Sequence, residues 1–234
     1  SSLHSFNDMT TNSFTFTPTP TSSSLFNLDK LSLRKSTLYT DLQYLDIKNG
    51  KIAYYNILQA NSKKYLIWVN DNNKTANNMY ATLLMLANNS QINIVLFDYL
   101  GKGNSLNYTK KVKNSNLINP NECYKSLKIV MKNMRFITEN FRIRNKDIIL
   151  CGDGLGAILV NKYIKKHAYN KAILIDLPSE NLKSLSKNKK LKLLAINSTI
   201  NNNNKNKLDK INKYCTTLIS HEEIINELKE FIID

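Results

Sequence analysis

The stretch Asp147-Ile-Ile-Leu-Cys-Gly-Asp-Gly-Leu-Gly-Ala-Ile158 constrains this chain more than any other. An apolar, β-branched run breaks at Gly152, Gly154 and Gly156 and resumes as an apolar segment. That pattern reads as a buried strand entering a sharp turn and then a helix. Whatever fold the chain adopts must seat a strand–turn–helix unit in its centre.

The flanking segments supply matching units. Gln43–Ile47, Asn49-Gly50 and Ile52–Ile57 read as a β-hairpin around an Asn-Gly turn. Tyr65–Val69 and Ile92–Phe97 read as buried strands, with a helix over Met79–Leu86 between them. After Pro120, a helix carries Leu127, Val130, Met134, Ile137 and Phe141 as one apolar stripe. The helix that follows the glycines runs to about Lys166. Strands are expected at Ala172–Ile175, Leu191–Ile196 and Cys215–Ile219. Ser220 and Glu223 then form a capping box for a final helix. An initial hairpin followed by alternating strands and helices predicts an α/β three-layer sandwich, mostly parallel with an antiparallel beginning.

At 234 residues and 42% hydrophobic, the chain can bury one full core. Residues 36–234 are expected to form that domain, and residues 1–35 an extended low-complexity tail. The first 24 residues are Ser/Thr-rich with one acid, Asp8, and bury too little to fold alone. Such an acid-poor start suits a remnant of an organelle-targeting segment, which places the chain in a mitochondrial or other organelle matrix, otherwise in the cytoplasm. No apolar run reaches the ~18 residues of a membrane span. Cys123, Cys151 and Cys215 lack motif spacing and predict reduced thiols. No cofactor or metal motif is present.

The order of units resembles the α/β-hydrolase fold, from about Leu42 to Ile233. The likeness is greatest to the small serine hydrolases of the ABHD17-like depalmitoylase group. Phe97-Asp-Tyr-Leu-Gly-Lys-Gly-Asn-Ser105 matches that family's D-x-x-G-x-G-x-S loop, and Phe141–Gly156 matches its run into the nucleophile elbow. The resemblance implies a triad and an oxyanion loop, and at those positions the chain departs from the family. In the elbow frame Gly152-Asp153-Gly154-Leu155-Gly156, the nucleophile's place falls on Gly154. The oxyanion loop, His-Gly-Asn in the family, is Asn70-Asp71-Asn72, and Asp71 would oppose a developing negative charge. Neutral Asn201 stands near the acid's place, and His221 near the base's. Asp176 suits a turn or cap role, and Cys151 is expected to be a core thiol. Only Pro178 to Lys190 is available for the lid, which is therefore lost.

Positive charge is the other signal. Lys and Arg number 33 against 18 Asp and Glu, a formal net charge of +15. Part of that excess suits AT-rich coding, since Lys, Asn and Ile are all abundant. Lys125, Lys128, Lys132 and Arg135 fall on one helix stripe, and Arg142, Arg144, Lys189 and Lys190 in loops. Such a distribution can hold phosphate backbones without reading sequence. The expectation is a catalytically inactive hydrolase-fold protein that contacts RNA inside a large assembly, a mitochondrial or other organellar ribosome first among the candidates. Two alternatives stand beside it: a scaffold subunit of a protein-only organellar complex, and an active esterase or thioesterase with a displaced nucleophile at Cys151 or Asp153.

Overall fold

A computed structural model describes residues 3–4, 37–40, 42–109, 119–197, 216–217 and 221–234. Its strands are β1 (Leu3–His4), β2 (Thr37–Thr40), β3 (Gln43–Ile47), β4 (Gly50–Gln59), β5 (Tyr65–Val69) and β6 (Asn93–Phe97). They continue with β7 (Leu106–Asn107), β8 (Ile148–Asp153), β9 (Lys171–Ile175), β10 (Lys192–Asn197) and β11 (Thr216–Thr217). The helices are α1 (Ala76–Ser90), α2 (Pro120–Lys132), α3 (Met134–Thr138), α4 (Leu155–Ile164) and α5 (His221–Ile233).

All eleven strands belong to one sheet, in the order β1-β2-β4-β6-β5-β8-β9-β10-β11, with β3 and β7 also paired to β4. From β6 through β11 every pairing is parallel, whereas β1 to β4 and β7 pair antiparallel. β5, β6 and β8 are buried along their whole length, as strands covered on both faces must be. Alternate residues feed opposite layers. Leu66 and Trp68 pack with Met79, Leu83, Leu228 and Ile232 of α1 and α5. Ile67 and Val69 pack with Leu127, Ile137, Leu159 and Val160 of α2, α3 and α4. This is the predicted α/β-hydrolase-like sandwich. The β9–β10 connection carries one 3₁₀ turn, Ser179–Ser184, and no lid helix.

Several local expectations need correction. The hairpin turns through Lys48 and Asn49, because Ile47 pairs directly with Gly50. Gly50 therefore opens β4, and its reason is close approach: a Cβ there would lie 2.1 Å from the carbonyl oxygen of Leu106 on β7. The stripe ending at Phe141 is not one helix. Asn133 turns its side-chain amide back onto the Ile129 carbonyl (2.7 Å), which ends α2, and α3 ends at left-handed Glu139 (φ 53°). Arg135 thus lies on α3, apart from Lys125, Lys128 and Lys132, and Phe141 is 75% exposed. α1 begins earlier than expected, because Thr75 and Asn78 make a capping box there. α4 ends at Ile164, short of Lys166.

Leu3–His4, inside the expected tail, pairs with β2. Asn201, Cys215 and the capping residue Ser220 lie outside the described residues.

Candidate functional site

The carboxyl ends of β5, β6 and β8 meet where the strand order reverses, the place where open α/β sheets put their sites. β8 delivers Gly154 as the residue between strand and helix, with φ 57° and ψ −114°. Side chains other than glycine's are strained in that conformation, and a nucleophile elbow accepts the strain to raise its attacking group. Gly154 raises none. Its N–H donates to the Ile175 carbonyl at 2.9 Å, and its own carbonyl receives the first α4 amides, from Ala157 and Ile158.

Asp71 fills the space in front of the elbow. Its Oδ1 accepts the N–H of Leu155 at 2.9 Å and that of Asn72 at 2.8 Å. In an α/β-hydrolase, the amide after the nucleophile and an amide of the loop that follows the strand in β5's place form the oxyanion hole. Here the Asp71 carboxylate takes the amide after Gly154 and an amide of its own loop. The arrangement suits an anion, because Leu155 opens α4 and presents the positive end of the helix dipole. A Cβ on Gly154 would lie 2.3 Å from Asp71 Oδ1, so the carboxylate stands where a nucleophile's side chain would begin.

The walls are polar and held from below. Asp153, buried at the end of β8, pairs with Lys74 Nζ at 2.8 Å. Burial pushes its carboxyl above the usual range; the charge and hydrogen bond of Lys74 pull it back, and Asp71 and Asp176 push it up. The Tyr99 hydroxyl donates to the Asn70 carbonyl, and Trp68 Nε1 donates to Asn70 Oδ1 at 2.8 Å. Burial, with Cys123, Asp71 and Asp153 nearby, holds the Tyr99 phenol well above its ordinary value.

Asp98, from the D-x-x-G-x-G-x-S loop, accepts from Ala76 N (2.7 Å) and Asn104 N (3.0 Å). Ser105 donates to the Asp98 carbonyl and accepts from Ala53 N. That motif fastens β4, β6 and the start of α1 together.

The expected site residues separate cleanly. Gly154, Asn70 and Asp71 come together. Asn201 lies outside the described residues; His221 begins α5, and its side chain is outside them too. Cys151 is fully buried, and burial, then Asp153, pushes its thiol well up, which keeps it protonated. Asp176 turns the chain at φ 53°, its N–H on the Ile196 carbonyl. Lys125, Lys128, Lys132, Arg135, Arg142, Arg144, Lys189 and Lys190 are all exposed. Arg144 shares its charge with Asp147 at 3.6 Å. Nothing in the sequence singles out Lys74, one cation among 33, or Tyr99, although Tyr99 lies inside the Asp98 motif.

A direct consequence concerns Gly154→Ser. The new side chain would have to displace Asp71 from two amides and hold a strained backbone, for a cost of about 2 kcal/mol. Combined with Asp71→Gly, the loss should shrink, giving a coupling of roughly 1 kcal/mol in a thermal-melt double-mutant cycle. Additive effects would mean that the carboxylate does not hold this position.

No protein-family model matches the chain, and no curated protein matches it in sequence. Solved structures do match. An α/β serine hydrolase homologue from Coxiella burnetii superposes with a TM-score of 0.60 at 17% identity, covering 82% of this chain and 95% of the other. An α/β serine hydrolase without a lid, from Xanthomonas campestris, gives 0.57 at 14% identity over 86% and 94%. Mouse alpha/beta hydrolase domain-containing protein 10 gives 0.56 at 12% identity over 82% and 98%. At such identities the likeness establishes the α/β-hydrolase fold.

Proposed function

We propose that this chain is a hydrolase-fold protein without hydrolase chemistry, which contacts RNA as a structural component of a large assembly. One observation carries the first half of that reading. At the elbow the backbone is shaped for a nucleophile, yet Gly154 offers no attacking atom and Asp71 occupies the amides that an oxyanion would need. An acyl transfer requires both an attacking group and that electrostatic support. Neither displaced candidate supplies the attack: Cys151 is a buried thiol, and Asp153 is committed to Lys74.

The Phe97–Ser105 loop favours descent from the depalmitoylase-like small serine hydrolases. A net charge of +15 and the exposed cations on α2, α3 and the following loop favour a polyanionic partner. An organellar ribosome, in a mitochondrial matrix, joins those requirements most directly.

The test has two arms. A serine-directed fluorophosphonate probe should leave the purified protein unlabelled; labelling that disappears in Cys151→Ser or Asp153→Asn would restore an enzyme. In lysate the protein should sediment with large particles and leave them on RNase treatment or at raised salt. Association that ignores RNase would point instead to a protein-only complex, and free migration as a monomer would remove the assembly.

A further inference from the structure

Residues 164–168 lead from α4 into β9, and residues 183–188 lead into β10. The two segments meet at the amino ends of those parallel strands, whereas the elbow stands at the carboxyl end of β8. Between them lies an open hollow of about 540 Å³. Its cations are Lys165, Lys166, Lys183 and Lys187, with His167 beside them, and among the described residues no carboxylate lines it. None of the four lysines pairs with an acid among the described residues. Glu180, in the adjoining 3₁₀ turn, is exposed and outside the lining.

The walls are anchored in the core. Leu182 and Leu185 are buried and join the cluster that holds Leu159 and Val160 of α4. Buried Asn161 donates from Nδ2 to the Ser184 carbonyl at 3.3 Å, and the Ser184 hydroxyl donates to the Asn181 carbonyl at 2.9 Å. On the other side the His167 ring stacks on Tyr163, centroids 4.1 Å apart, and Asn145 Nδ2 donates to the Ala168 carbonyl at 3.1 Å. Local chemistry explains part of the charge, since Lys165 and Lys166 complement the carbonyl end of α4. It does not explain Lys183 and Lys187, which a separate segment brings to the same hollow. A concavity lined by one sign of charge over an apolar floor focuses its field and concentrates counter-ions of the other sign.

We infer that this hollow is a binding site for a compact group of phosphates, held between Lys183 and Lys187 on one wall and Lys165, Lys166 and His167 on the other. The inference does not depend on the RNA-contacting reading, because the phosphates can belong to an RNA backbone or to a free polyphosphate.

Isothermal titration of the full chain with inorganic tripolyphosphate, at fixed ionic strength, tests it. The wild-type protein should bind, and Lys183→Gln with Lys187→Gln should weaken binding roughly tenfold. Lys48→Gln with Lys229→Gln removes the same charge from the β3–β4 turn and from α5, on the opposite face of the sheet, and should leave the affinity unchanged. All four lysines are exposed, so melting curves should show both variants folded. A 12-base-pair RNA duplex that displaces tripolyphosphate from the wild type would support the site with RNA as its source of phosphate; tripolyphosphate bound regardless of RNA would support it with a free polyphosphate as ligand. Equal losses in the two variants would show that binding follows net charge and would overturn the hollow as a site. So would wild-type protein that does not bind tripolyphosphate, and either result would leave RNA contact through α2 and α3 standing.

Discussion

Gly156→Ala is expected to cost about 4 kcal/mol, lowering the melting temperature by roughly 8–16 °C in a chain of this size. A Cβ at that position would lie 1.9 Å from the Val69 carbonyl oxygen and 2.9 Å from that of Asn70. Both are backbone atoms, so no side chain can swing aside. Nor can β5 retreat, since it is paired on one side to β6 and on the other to β8. Gly152 shows the same seam from the strand side, where a Cβ would meet the Gly156 carbonyl oxygen at 2.3 Å. The first turn of α4 therefore rests directly on the sheet. Urea and thermal melts followed by circular dichroism would measure the loss. A variant as stable as the parent would mean that helix and sheet are less closely packed than described.

That seam explains the glycines on either side of the turn. Gly152 and Gly156 are required by the packing, whatever stands between them. The D-x-x-G-x-G-x-S loop has the same character. Asp98 spends its carboxylate on the amides of Ala76 and Asn104, so the motif testifies to architecture rather than to activity. Both motifs were legible in the sequence for this reason, and both specify the α/β-hydrolase fold.

The misreadings have a common cause. Asn49-Gly50 looks like a two-residue turn, but Gly50 answers to β7, 56 residues further along the chain, and local turn chemistry could not reveal that. Phe141 continues a helical spacing on paper. The backbone leaves the helix at Asn133, whose amide competes for the Ile129 carbonyl, so the period no longer counts. At the site, the missing side chain of Gly154 and the acid at position 71 could each be read singly. Their meeting could not, since 84 residues separate Asp71 from the amide it occupies. Burial patterns expose the core to sequence reasoning; which polar groups meet at its edge is decided by tertiary geometry.

Lys74→Met should cost about 3 kcal/mol near neutral pH, and the cost should fall away in acid. Lys74 and Asp153 retain only 24% and 9% side-chain exposure, so removing the cation strands a carboxylate in poorly solvated surroundings. The direction with pH follows from the proton balance. Burial has already raised the Asp153 carboxyl above its ordinary value, and Lys74 is what draws it back. Without Lys74 the carboxyl rises further. The folded variant then holds a proton over a pH range where the unfolded chain has released it, so its stability declines as pH rises through that range. At neutral pH the full penalty is present. As pH falls through the raised carboxyl value the group becomes neutral, and variant and parent should converge. Asp153→Asn in the Lys74→Met background should recover most of the neutral-pH loss, because no charge is then left without a partner. A penalty that stays the same at pH 4 and pH 7 would assign Lys74 a packing role alone. The pair also anchors the segment between β5 and α1, where the Lys74 amide bonds the Asp71 carbonyl at 3.2 Å. The ion pair at Asp153 thus helps to hold in place the Asp71 carboxylate that accepts the Leu155 amide.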